Sequence, residues 1–147
     1  MQQNDKGAQA ETLLAALAAI PGSAPPERRA DGWWISAPAL DVEAMARTMQ
    51  ACGGRLMTVT GLARQDGETT LIYHFAWHRD TINFRTGTRS GAIPSLAPIL
   101  RPAAWIEREI HDFFAVNFVG HPNLVPLLRP KELKEGFFRE PELRPAR

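Results

Sequence analysis

Thr70-Leu71-Ile72-Tyr73-His74-Phe75-Ala76-Trp77 is the stretch on which the fold turns. Leu71, Tyr73, Phe75 and Trp77 recur at every second position, so in an extended chain they share one face, and the β-branched and aromatic content favours a strand. Upstream, Leu56-Met57-Thr58-Val59-Thr60 has the same character and is set apart by a polar turn holding Asp66-Gly67. Downstream, a short His78-Arg79-Asp80 turn leads into a third run, Thr81 to Thr86. These three runs predict an antiparallel meander whose middle strand packs its apolar face on helices.

Working towards the N-terminus, Val42, Met45, Ala46 and Met49 form one helical stripe after Asp41, and Gly53-Gly54 stands where a C-terminal cap belongs. A helix over about 41–52 follows. Asp31-Gly32 separates Glu27-Arg28-Arg29 from Trp33-Trp34-Ile35 as a tight hairpin turn would. Before the small-residue linker 22–26, Leu13, Leu14 and Leu17 recur at helical spacing and Pro21-Gly22 breaks the run, predicting a first helix over roughly 8–20.

Towards the C-terminus, Pro94, Pro98 and Pro102 punctuate a loop, and Pro102-Ala103-Ala104 opens a third helix over 103–115. Beyond it Pro122, Pro126, Pro130, Pro141 and Pro145, with Gly120 and Gly136, forbid long helices. The expected fold is α+β in the order α-β-β-α-β-β-β: a small mixed or antiparallel sheet covered by helices, then the third helix and an extended tail. The expected division is a domain over 1–116 and an interaction tail over 117–147, ordered by a neighbouring subunit through Leu124, Leu127, Leu128, Leu133, Phe137 and Phe138.

The totals narrow the function. The 147 residues suffice for one domain with its own core, and 17 basic against 16 acidic residues leave no field that draws nucleic acid or an anionic membrane. One cysteine, Cys52, cannot supply the thiolate sets of an iron-sulfur cluster or a structural zinc. The polar start does not read as a secretory signal, and the longest wholly apolar run, Leu13 to Ile20, is far below the roughly 20 residues a spanning helix needs. The expected location is therefore cytoplasmic, with membrane contact only through partners.

Catalytic motifs are scarce. Cys52 reads as a core thiol, Ser95 lies in a proline-rich loop without a glycine-flanked elbow, and Gly53-Gly54 is a helix cap rather than a phosphate loop. Arg28-Arg29 beside Trp33-Trp34 has the residue types of a nucleic-acid face, but the balanced charge favours a solvated hairpin or a partner contact. His74 and His78 read as partly exposed sheet histidines. A small metal-dependent enzyme is the rival reading, with Glu107 and His111 four residues apart on one helical face and His121 nearby.

On the third helix, Ile106, Ile110, Phe113 and Phe114 fall on one arc, and Glu109 falls at its edge between Trp105 and Phe113. A carboxylate there should find an arginine or backbone donors, within the chain or across an interface.

Trp105-Ile106-Glu107-Arg108-Glu109-Ile110-His111-Asp112, followed by Phe118-x-Gly120-His121-Pro122-Asn123-Leu124, resembles the signature of the thirty-kilodalton subunit family of NADH:quinone oxidoreductase. Ile93-Pro94-Ser95-Leu96 and Pro102-Ala103-Ala104 are similar to that family's approach to the signature, and Tyr73-His74 to a pair it often carries. The resemblance implies a subunit without catalytic site, cofactor or metal of its own. Its partners would be a large subunit bearing the quinone site, or its nickel-iron relative in membrane-bound energy-converting hydrogenases, and a small iron-sulfur subunit. The resemblance also assigns contacts between subunits. Glu107, Arg108, Glu109 and Asp112 would be the polar ones, and Trp105, Phe118, Gly120, His121, Pro122 and Leu124 the packing ones.

Three departures from that pattern matter. Ala115 replaces a common glycine and points to a regular rather than left-handed backbone there. Val125-Pro126 replaces a commonly basic pair, and the stretch Glu135 to Glu140 matches the family's ending only loosely. Together they lean towards the hydrogenase branch, with the C-type subunit of an NADH:quinone oxidoreductase as the alternative.

Overall fold

The computed structural model describes residues 2–138, and side chains over 7–138. The element order is α1 (Gln2–Ala18), β1 (Glu27–Arg29), β2 (Gly32–Ser36), α2 (Val42–Ala51), β3 (Arg55–Ala63), β4 (Thr69–Trp77), β5 (Asp80–Gly87), β6 (Ala92–Pro94), α3 (Ala103–Phe114) and β7 (Asn117–Val119). Five strands form a mixed sheet in the order β1-β2-β5-β4-β3. The meander β3-β4-β5 is antiparallel as expected, while β2 lies parallel to β5, with Ile35 opposite Phe84.

The alternation in β4 decides the layering. Leu71, Tyr73, Phe75 and Trp77 are buried, and their cross-strand neighbours Val59, Ile82 and Phe84 join them in one core with Leu13 and Leu17 of α1 and Met45 and Met49 of α2. Fully burying a side chain of this size contributes about 1.5 to 3 kcal/mol before entropy. The opposite face of the sheet carries a polar chain across the strands. Thr60 Oγ1 lies 2.9 Å from His74 Nε2, His74 Nδ1 lies 2.7 Å from Asn83 Oδ1, and Asn83 Nδ2 donates to the Trp33 carbonyl.

Local chemistry sets the ends of the elements. Asp41 caps α2 by accepting from the Ala44 amide, and at its other end Gly53 takes φ +76° while the Gly54 amide returns to Met49 O at 2.7 Å. Helix α1 ends at Ala18, two residues before the expected stop, and starts at Gln2, ahead of the apolar stripe. His78 is not a strand residue. It occupies the β4–β5 turn at φ 52° and meets the Trp77 ring edge-on. Arg28 and Arg29 lie over the rings of Trp33 and Trp34 and pair with Asp80 and Glu27, so the expected basic-aromatic hairpin satisfies itself.

Candidate functional site

Two strands with no signal of their own in the sequence, β6 and β7, position the signature helix. They pair in parallel, Ile93 opposite Phe118, so α3 is the crossover of a β-α-β unit. The helix docks on the sheet through Ala103, Glu107, Ile110 and Phe114, at spacings of four, three and four. Gly61 of β3 lets it approach: a Cβ there would stand 2.7 Å from the Phe114 ring.

Glu107, not Glu109, is the carboxylate on that apolar face. Its exposure is 0%, whereas Glu109 is exposed to solvent. The expectation of Glu109 at the edge of a buried arc requires Trp105 and Phe113 to point inward. Trp105 instead faces water, and the docked stripe lies one residue pair away on the helical wheel.

The Ser95 hydroxyl donates to Glu107 Oε2 at 2.5 Å and the Leu96 amide to Oε1 at 2.6 Å; Ser95 Oγ in turn accepts from the Ala97 amide. The carboxylate thus organises the turn after β6. Burial pushes the Glu107 carboxyl up to about 7, against the opposing pull of the Ser95 hydroxyl and the Leu96 and Ala97 amides. Tyr73 of β4 lies within its electrostatic reach. Burial and the Glu107 charge both raise the phenol above its ordinary range, and its hydroxyl has no hydrogen-bond partner among the described residues.

Asp112, the second buried carboxylate of α3, organises the other side. Its Oδ2 accepts from the consecutive amides of Leu127, Leu128 and Arg129, and the Arg129 guanidinium lies 3.5 Å from Oδ1. Burial acts to raise this carboxyl, and those three amides with the guanidinium outweigh it, holding the group below the usual carboxylate range. Arg129 also donates to the Leu133 carbonyl. The amides of Gly136 and Phe138 return to the Asp112 and Phe113 carbonyls, and Phe138 stacks obliquely on Phe113. Over 127–138 these bonds come from the chain's own α3. The expected ending beyond 138, with Pro141 and Pro145, lies outside the described residues.

The junction after α3 overturns one expectation. Ala115 is left-handed, φ 54° and ψ 29°, despite having a Cβ. Its amide bonds to the His111 carbonyl, the His111 ring lies 2.8 Å from Val116 O, and Val116 and Phe118 are buried just beyond. Those contacts outweigh the roughly 1 to 2 kcal/mol that an alanine costs in this conformation. Gly120, at φ 84°, then turns the chain so that the His121 amide reaches Phe118 O.

The His121 ring is fixed by contacts at both of its nitrogens. Nε2 stands 2.9 Å from the Ala104 carbonyl, which can only accept, and Nδ1 accepts from the Asn123 amide. Both nitrogens are committed, and Nε2 is 3.9 Å from Glu107 Oε2. His111 turns instead to Val116 O. The rival metal set of Glu107, His111 and His121 therefore does not converge, and among the described residues no three such side chains gather around a common point.

The outward face of α3 remains. Trp105 is 66% exposed. Arg108 lies over its ring at 5.8 Å and donates to the carbonyls of Val125 and Pro126. At Val125-Pro126, where the resemblance has a commonly basic pair, the backbone carbonyls receive Arg108. Val125 is exposed, Leu124 packs against the core, and Pro122 is exposed. Sequence reasoning missed the roles of Ser95, Tyr73 and Arg129. A serine just after Ala92-Ile93-Pro94, twelve residues before a glutamate on a helix, carries no local pattern that marks it.

A two-layer α+β domain with a carboxylate-clamped β-α-β unit is the class this geometry defines. The family model of the respiratory-chain NADH dehydrogenase 30 Kd subunit matches residues 35–144, and the chain belongs to that family. It is 42% identical over 60 residues to the C-type subunit of NADH-quinone oxidoreductase from Chlorobium phaeobacteroides, a match covering 41% of this chain and 36% of that protein. It is 36% identical over 74 residues to the C/D-type subunit from Acidiphilium cryptum, covering 48% of this chain and 12% of that one. The matches thus span about a third or less of these relatives.

Two solved structures share the fold at 23% identity. A chain of the membrane-bound sulfane sulfur reductase, an archaeal respiratory membrane complex, superposes with a TM-score of 0.65 over 76% of this chain and 71% of its own. The trypsin-resistant fragment of Nqo5 superposes at 0.61 over 79% of this chain and 99% of its own. Among the described residues no helix is long and apolar enough to cross a membrane.

Proposed function

We propose that this chain is a structural subunit in the peripheral arm of a complex I-like respiratory complex, with no catalytic site of its own. The observation that carries the reading is the division of labour on α3. The buried carboxyl groups of Glu107 and Asp112 hold the chain's own loops, while Trp105 stands 66% exposed, braced by Arg108. A large aromatic fixed in solvent beside an arginine has the composition of an interface anchor. Trp105, Arg108, Glu109, Pro122 and the outer side of 117–138 form the proposed contact surface, and Phe118, Gly120, His121 and Leu124 shape it from behind.

The partners proposed are the large subunit bearing the quinone site or its nickel-iron counterpart, and the small iron-sulfur subunit, which would hold the redox centres. The quinone-reducing branch is the better supported. The relatives from Chlorobium phaeobacteroides and Acidiphilium cryptum are quinone oxidoreductase subunits. Two of the departures that lean towards hydrogenase also weigh less once Ala115 keeps the left-handed turn and Arg108 uses carbonyls at 125–126. The location that follows is the cytoplasmic side of a membrane, reached through those partners.

Purifying the tagged chain from native membranes tests this. The expected outcome is co-purification of a large subunit lacking paired Cys-x-x-Cys motifs together with an iron-sulfur subunit. A chain that purifies alone, or with one equivalent of metal lost on His111→Ala or His121→Ala, would contradict it.

A further inference from the structure

Two shallow cavities adjoin where β2 and β5 end. One, of about 380 Å³, is lined by Ser36, Arg64, Glu68, Thr70 and Arg85. The other, of about 340 Å³, is lined by Leu40, Arg89, Ile93, Pro94 and Val119. Pro38, Thr86 and Gly87 line both, so the two are halves of one groove. A Cβ built on Gly87 meets no atom within 4 Å, which leaves the floor of the groove open. Leu40, Ile93 and Val119 make one half apolar, and Val119 is 57% exposed, unusual for a valine in a strand so close to the core.

Positive charge predominates in the lining, with Arg64, Arg85 and Arg89 against the single carboxylate of Glu68. Arg85 and Arg89 are exposed, one in each half, and neither forms an ion pair among the described residues. Arg64 is held by Asp66. The Glu68 carboxylate is engaged by the Thr88 hydroxyl at 2.6 Å and the Gly91 amide at 3.2 Å. The groove therefore offers one exposed guanidinium in each half, Arg89 beside the apolar patch and Arg85 beyond the shared Pro38, Thr86 and Gly87, and each cavity is small against the roughly 10 Å cylinder of a helix.

We propose that this groove docks an extended segment of a neighbouring subunit in which an apolar side chain is flanked by carboxylates. The proposal rests on the reading that the chain is a subunit of a larger complex, and it adds a second contact on a surface away from Trp105. The apolar side chain would cover Val119 and Ile93, and the carboxylates would reach Arg85 and Arg89.

The test uses the tagged chain in its native complex, with the photo-crosslinking residue p-benzoylphenylalanine in place of Val119 at the rim. Illumination is expected to give an adduct to a different subunit, mapping to a stretch that contains Asp or Glu. Gly87→Trp, which fills the floor, should abolish the adduct, and Arg85→Glu with Arg89→Glu should lower its yield at least fivefold. Circular dichroism of each purified chain verifies folding, and co-purification of the other subunits with each tagged variant verifies assembly independently. No adduct from Val119 in a complex that retains its other subunits overturns the groove proposal alone, as does an adduct to a second copy of the chain or one that survives both sets of substitutions. A wild-type chain that purifies with no other subunit overturns the subunit reading and the groove with it.

Discussion

Ser95 and Glu107, twelve residues apart in the chain, are joined at 2.5 Å inside the core, where the serine hydroxyl donates to a carboxylate with 0% exposure. This bond ties the turn after β6 to the middle of α3 and fixes the angle at which the helix leaves the sheet. Burial raises the Glu107 carboxyl to about 7. The folded chain therefore keeps a proton on Glu107 that the unfolded chain has already released, and stability falls as pH rises from the ordinary carboxylate range to about 7, by about 3 kcal/mol for this group, then levels off. Glu107→Gln keeps an acceptor for the Leu96 amide and removes the titration. Urea unfolding across pH 5 to 8 should show a falling midpoint in the wild type and a flatter one in the variant; parallel curves would mean that Glu107 is solvated in the native state.

Tyr73 bears on the same cluster. Its hydroxyl is buried, has no hydrogen-bond partner among the described residues, and sits within the field of Glu107. An unsatisfied buried hydroxyl costs about 1 to 3 kcal/mol, so Tyr73→Phe should be neutral or stabilising, with a melting temperature equal to or above that of the wild type. A loss of more than about 1 kcal/mol would reveal a partner for that hydroxyl.

Asp112 makes the opposite use of burial. Three amides and Arg129 outweigh desolvation and hold the carboxyl low, so its contribution is present above the ordinary carboxylate range and lost as pH falls through its depressed value. Asp112→Ala strands three amides and a guanidinium, at a cost of roughly 3 to 5 kcal/mol. Hydrogen exchange should accelerate at Leu127, Leu128 and Arg129 while the amides of β4 keep their protection. Acceleration spread evenly over the sheet would show that the segment and the domain are one cooperative unit.

Elements with dense local periodicity are legible in the sequence. The meander follows from alternation around Tyr73 and from Asp66-Gly67, and α2 from its stripe and its Asp41 cap. Non-local features are not. The strands β6 and β7 have three residues each, Pro94 disguises the first, and Ala92 pairs with Asn117 far along the chain. At α3 the residue types mislead: tryptophan suggests an inward position and Glu107 an outward one, although Ala103, Glu107, Ile110 and Phe114 form the stripe. A buried glutamate reads as core only once its donors, here the Ser95 hydroxyl and the Leu96 amide, are seen beside it. Ala115 misleads for a related reason, since the contacts that hold it left-handed lie on both sides of it and leave no glycine as a mark.

The proposed interface depends on Trp105, which touches solvent far more than its own domain. Trp105→Ala should leave the melting temperature of the isolated chain nearly unchanged, within the ±0.5 kcal/mol or so usual for surface positions. It should weaken binding to the purified large subunit by about 2 kcal/mol or more, some thirtyfold in Kd by titration calorimetry. An unchanged Kd for the folded variant would contradict the assignment of α3 as the docking face.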